Sequence, residues 1–153
     1  MSQHNNPDNR IERLSVVVYD GHFDKVHYAL AMASSAAALD MPVTLFFTMD
    51  ACVALMMSAD GNQPGWHALP VSNTGDGATG IDRDSQFQTQ KIATFEDLLA
   101  ACVELDVTFM VCEMGLKARH LSAEDLRTDI PVEPGGLVTF LSNATKDGSI
   151  VFI

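Results

Sequence analysis

Apolar positions along this chain come in two spacings. Four short stretches, 14–19, 43–48, 107–112 and 149–153, are almost continuously apolar and rich in β-branched or aromatic side chains. Runs of that length and kind read as strands covered on both faces of a sheet. Between them the apolar residues recur every three or four positions. This predicts a helix over 25–39, rich in Ala and Met, a short one over 50–58, and a third opening at Thr94. In the third, Leu98, Leu99, Cys102, Val103 and Leu105 keep helical spacing, and Thr94 is a good cap. Asp24 can cap the first helix, and Asp40-Met41-Pro42 ends it. Ser122 to Asp125 resembles a capping box before a further short helix, and 131–136 reads as a turn. A helix over 136–146 carries Leu137, Phe140 and Leu141, with Gly148 suited to its stop.

Strand alternating with helix implies parallel pairing through right-handed crossovers, an α/β domain. Two stretches fall outside the pattern. Residues 1–12 are polar and read as a frayed tail, leaving one domain over 13–153. Residues 59–93 are Gly-rich and mostly small and polar, which predicts a long surface loop insertion with a brief strand near 66–71. The small residues of the first helix, Ala31 and Ala33 to Ala38 among them, allow close approach to the sheet or to another subunit.

Composition narrows the function classes. The 153 residues are 47% apolar and carry a net charge of −11, so neither nucleic acid nor an anionic membrane surface finds the positive footprint it needs. No run reaches the roughly 20 apolar residues of a membrane span, and the polar N-terminus lacks a signal-peptide core. Three cysteines make no disulfide framework, and a reducing cytoplasm is the simplest location. The five histidines lack metal-ligand spacing, so no built-in metal site or cofactor is expected.

The chemistry then centres on Cys112, the last residue of an apolar run followed by Glu113-Met114-Gly115. A buried packing cysteine is the plain alternative. At the carboxyl end of a parallel strand, however, a thiol stands where ligands collect. The next helix and Lys117, Arg119 and His120 favour its anion, while Glu113 opposes it. Cys102 belongs to a helical apolar face and reads as core. Cys52 falls in a helix's first turn after a strand and is a possible relay thiol near Cys112. His22 reads as a solvated loop histidine able to reach the same rim. Gly75-Asp76-Gly77-Ala78-Thr79-Gly80 matches the dinucleotide pattern, but without the flanking strand and apolar helix it reads as a flexible loop.

Three blocks stand out: Asp20-Gly21-His22-Phe23-Asp24-Lys25; Val43 to Thr48; and the segment from Phe95 through Cys112-Glu113-Met114 and Gly135-Gly136 to the final strand. Together they resemble the DsrE/DsrF/DsrH-like sulfur-relay family, most closely its DsrE2-type, peroxiredoxin-like branch, whose Ser-Gly-Asp-Leu-Asp-Lys is similar to the first block. The resemblance implies a three-layer α/β/α sandwich with a mainly parallel sheet of about five strands. It also implies association into homo- or hetero-oligomers, often trimers or hexamers, with a homo-oligomer expected here. Cys112 occupies the family's C-x-M-[ST] position, with Gly115 where Ser or Thr is usual, and the family's Met-rich segment shrinks to Met56-Met57. Cys112 would take up sulfane sulfur as a persulfide and pass it to a partner protein or small thiol. Tyr19, Asp20, Gly21, His22, Thr48, Met49, Met114, Gly115 and Lys117, each at a strand end or just beyond, should line the same rim. The rivals are a non-catalytic ligand-binding or assembly module of the same fold, and a redox pair formed by Cys52 and Cys112.

Overall fold

The structure, a computed structural model, describes residues 9–58 and 60–153. The first eight residues of the expected tail lie outside that range. The tail's later part is tied down: the Arg10 side chain donates to the Leu39 carbonyl at 2.8 Å and the Glu12 amide to Asp147 at 3.1 Å.

Five strands form one all-parallel sheet: β1 (Leu14–Val18), β2 (Val43–Phe47), β3 (Thr108–Cys112), β4 (Val132–Gly135) and β5 (Ser149–Phe152). Their spatial order is β4-β3-β2-β1-β5. Successive crossovers move outward from β1 to β4, and the chain then returns to the other side of β1. The helices are α1 (Phe23–Ala38), α2 (Gly80–Thr89), α3 (Phe95–Glu104), α4 (Glu113–Ala118) and α5 (Leu137–Asn143).

Side chains alternate along each strand, so the two faces of the sheet build separate cores. Val16, Val18, Leu45, Phe47, Phe109 and Val111 join α1, α3 and Trp66 in the larger one. Val17, Phe46, Met110 and Cys112 join Phe140 of α5 in a much smaller one. The register explains the second set: Phe152, Val17, Phe46 and Met110 are successive cross-strand partners. The asymmetry follows from width. A single helix such as α5 is about 10–12 Å across, whereas five strands span about 19 Å. Phe140 stacks on Phe46 at 4.9 Å, and the β5 side of that face is left bare at Ile150 and Phe152.

Several expectations need correction. Of the expected 59–93 loop, residues 60–63 and 72–77 are exposed or half-buried turns and irregular backbone, but the stretches between and after them are built into the fold. A 3-10 turn, Gly65–Ala68, replaces the expected brief strand and buries Trp66, while Leu69 and Val71 join the larger core. Polar α2 follows, opened at Thr79, whose backbone amide and hydroxyl both donate to the Asp82 carboxylate at 2.9 Å. Gly80, read as loop, is its first residue, and a Cβ there would come within 2.2 Å of the Trp66 carbonyl oxygen. Residues 131–136 contain a strand and not only a turn. β4 tolerates Pro134 because it is an edge strand. The second helix is a 3-10 helix, Met49–Leu55. His22, not Asp24, is the N-cap of α1, and Asp24 accepts the Ser72 amide at 2.8 Å instead.

An unanticipated clamp fastens this region to α3. The Arg127 guanidinium, its side chain 7% exposed, reaches Glu96 at 2.5 and 2.9 Å and Asp129 at 2.9 and 2.7 Å. Trp66 Nε1 donates to the same Glu96 at 2.8 Å.

Candidate functional site at the carboxyl edge of the sheet

Because all strands run the same way, the residues after β1, β2 and β3 emerge along one edge. They do not gather around one opening: the expected rim divides into two cavities and a packed partition.

The first cavity, about 530 Å³, lies beyond β1, next to the point where strand order reverses between β1 and β5. Tyr19, Asp20, Gly21 and His22 line it with Asp50, Leu69, Pro70 and Arg119. His22 is more than a solvated loop residue. Its Nδ1 lies 2.6 Å from Asp20 Oδ1, which also accepts the His22 amide at 2.8 Å. Burial alone would raise the Asp20 pKa, but those hydrogen bonds and the charges of His22 and Lys25 outweigh it and hold the carboxylate below its ordinary value. Such a pair fixes the imidazole, and Nε2 has no hydrogen-bond partner among the described residues. Gly21 is required by close approach, since a Cβ there would come within 2.7 Å of Asp50 Cβ.

The second cavity, about 500 Å³ and open to solvent, holds Cys112. Its walls are Glu113, Met114 and Lys117 of α4 with Gly136, Leu137 and Val138 at the start of α5. Cys112 ends β3 and is the N-cap residue of α4, so the chain turns away from the sheet at the thiol. The residue is 2% exposed. One side of it packs in the small core and the other meets the cavity. Among the described residues its Sγ has no hydrogen-bond partner. The other two thiols do: Cys52 donates to the Phe47 carbonyl at 3.7 Å and Cys102 to that of Leu30 at 3.6 Å.

Between the cavities runs the partition. Gly115 is buried against the first turn of the Met49–Leu55 helix, where a Cβ would lie 2.5 Å from the Met49 nitrogen and 3.0 Å from Cys52 Sγ. Thr48 is buried, Met49 is half-buried with a left-handed backbone (φ 47°), and neither lines either of these two cavities. Cys52 is fully buried in the larger core; burial, with the neighbouring Cys112 thiol adding to it, pushes its pKa up to about 12. Cys102 is likewise pushed up to about 12 by burial. A fully enclosed thiol held protonated is poorly placed for exchange with a partner.

The basic cluster also separates. Arg119 turns to the first cavity and pairs with Asp50 at 3.3 Å, leaving Lys117 as the cation beside Cys112. Spacing could not show this, because α4 is just six residues long and His120 at its end adopts a left-handed backbone (φ 54°). Among the described residues no group of His, Cys, Asp and Glu is arranged to hold a metal ion. No helix among them is long and apolar enough to cross a membrane.

Comparison with known proteins agrees with this architecture. The model of the DsrE/DsrF/DrsH-like family matches residues 10–152. Among solved structures, the YchN protein from E. coli is similar, with a TM-score of 0.53 at 15% identity over 93% of this chain and 99% of that one, a likeness of fold. No curated protein matches.

Proposed function

The chain belongs to the DsrE/DsrF/DrsH-like family, and from that premise we propose that it is a small cytoplasmic sulfur carrier whose working group is Cys112. One observation carries the reading. In a family associated with sulfur relay, a thiol that has no hydrogen-bond partner among the described residues stands at the end of an interior strand, at a residue lining a cavity of about 500 Å³. In this reading the Cys112 thiolate attacks a sulfane sulfur, holds it as a persulfide, and yields the outer sulfur to an acceptor thiol on a protein or small molecule. Lys117 supplies the positive charge that offsets the anion, and Glu113 limits it. The experiment is incubation with polysulfide followed by intact-mass measurement. One added sulfur, about 32 Da, is expected on the wild type and absent from Cys112→Ala. A wild type that gains no sulfur ends the proposal.

The bare face beside α5 favours a second role, assembly. Tyr19, Leu141, Ile150 and Phe152 are exposed there, and Tyr19 and Phe152 touch at 5.3 Å between ring centroids. Exposed apolar side chains grouped on one face mark an interaction surface. Neither α5 nor β5 contains a charged residue, in a chain whose net charge of −11 repels a second copy elsewhere. A second copy of this chain is therefore the proposed occupant. Sedimentation should show an oligomer that Phe152→Lys dissociates, and a monomeric wild type would refute it.

A further inference from the structure

We infer that the Cys112 cavity selects sulfane-sulfur donors of low charge carrying an apolar group, an alkyl or aryl hydropersulfide, over the thiosulfate dianion. This rests on the carrier reading above and specifies its substrate class.

The walls decide the class. Met114, Leu137 and Val138 are exposed apolar side chains, and Gly136 between them and the sheet adds none. A Cβ at Gly136 would meet nothing within 4 Å, so that side of the cavity is open space beside backbone. The charged groups among the walls are one lysine and one glutamate, Lys117 and Glu113, which leaves no surplus of positive charge. The other nearby cation, Arg119, is engaged with Asp50 at the first cavity. A dianion entering here would exchange its water for apolar carbon and a single ammonium, inside the field of a chain with net charge −11. Burying charge without matched partners is costly. A benzyl or alkyl group gains from the same walls, as ligands do in sites lined by apolar side chains with few polar groups.

The step balances without a further reactant. The Cys112 thiolate attacks the outer sulfur of R–S–SH and forms the new S–S bond. The R–S bond partner departs with the electron pair of the broken S–S bond as R–S⁻, and Cys112–S–SH remains. The thiolate product takes a proton from water, and no net oxidation occurs because one S–S bond replaces another.

The test compares initial rates of sulfur loading, read by intact mass, for benzyl hydropersulfide generated in situ, glutathione hydropersulfide and thiosulfate. Each rate is divided by that of free cysteine with the same donor. The normalised rate with benzyl hydropersulfide should exceed the other two by tenfold or more. Gly136→Leu, which fills the cavity without a backbone clash, should remove most of that preference. Met114→Lys should raise thiosulfate loading several-fold. Thermal melts of both variants establish that they fold. Thiosulfate or glutathione hydropersulfide loading as fast as the benzyl donor would overturn this inference and leave the carrier reading standing. Loading by none of the three would overturn both.

Discussion

Restoring a hydroxyl residue at position 115, as the family's motif suggests, should damage this protein. Gly115 lies in α4, where helix propensity alone favours alanine by about 1 kcal/mol. The structure opposes that gain. A Cβ at 115 would lie 2.5 Å from the Met49 nitrogen, 3.2 Å from the Thr48 carbonyl carbon and 3.0 Å from Cys52 Sγ. Two of those three atoms are backbone and cannot rotate away, so the Met49–Leu55 helix or α4 must shift. Overpacking of this kind costs about 1–3 kcal/mol, occasionally more, and the rigid partners place this site at the upper end. The net for Gly115→Ala is a loss of about 2 kcal/mol. In a chain of 153 residues that lowers Tm by roughly 4–8 °C. Gly115→Ser should cost more, since its hydroxyl enters the same dry contact beside Cys52. Scanning calorimetry on both variants measures this, with Gly136→Ala as control. Nothing lies within 4 Å of a Cβ at 136, so the control should move stability by less than about 0.5 kcal/mol. If Gly115→Ala melts at or above the wild-type temperature, propensity outweighs the clash and the packed partition between the two cavities is wrong.

Three further outcomes follow from the same geometry. Arg127→Ala leaves Glu96 and Asp129 facing each other without their cation; because both carboxylates are partly exposed, the cost should be about 2 kcal/mol, below the range for a fully buried pair, and visible as earlier loss of Trp66 fluorescence in urea. Burial would raise the Glu96 pKa, but Arg127 and Trp66 outweigh it and hold it below its ordinary 4.5, as Arg127 holds Asp129 below 3.8. The stability these carboxylates contribute is therefore complete above about pH 4.5 and lost as pH falls through their lowered folded-state values. Melting temperature should drop between pH 5 and 3, and drop less in Arg127→Ala. Native protein at pH 8 should take up one equivalent of iodoacetamide, at Cys112, and three in denaturant, since Cys52 and Cys102 are enclosed and pushed up to about 12; labelling of Cys52 in the native state would contradict its burial.

The central strands, the parallel α/β class and the position of Cys112 at a strand end are legible in the residue pattern alone. Each rests on local information: unbroken β-branched runs for strands buried on both faces, and the abrupt change from Val111 to Glu113 for the point where the chain leaves the sheet. Edge strand β4 was hidden behind Pro134 and Glu133, because an edge needs neither a full ladder nor a continuous apolar run. Helix α2 was hidden because its buried positions are Gly80 and Asp84, which no hydrophobic period reveals. Tertiary structure decided the rest of the site. The direction in which Arg119 leaves α4, the wedging of Gly115 against Met49, and the failure of a single helix to cover a five-strand face divide one expected rim into two cavities. These are relations among segments far apart in the chain, set by packing in three dimensions, and no pattern within any one segment contains them.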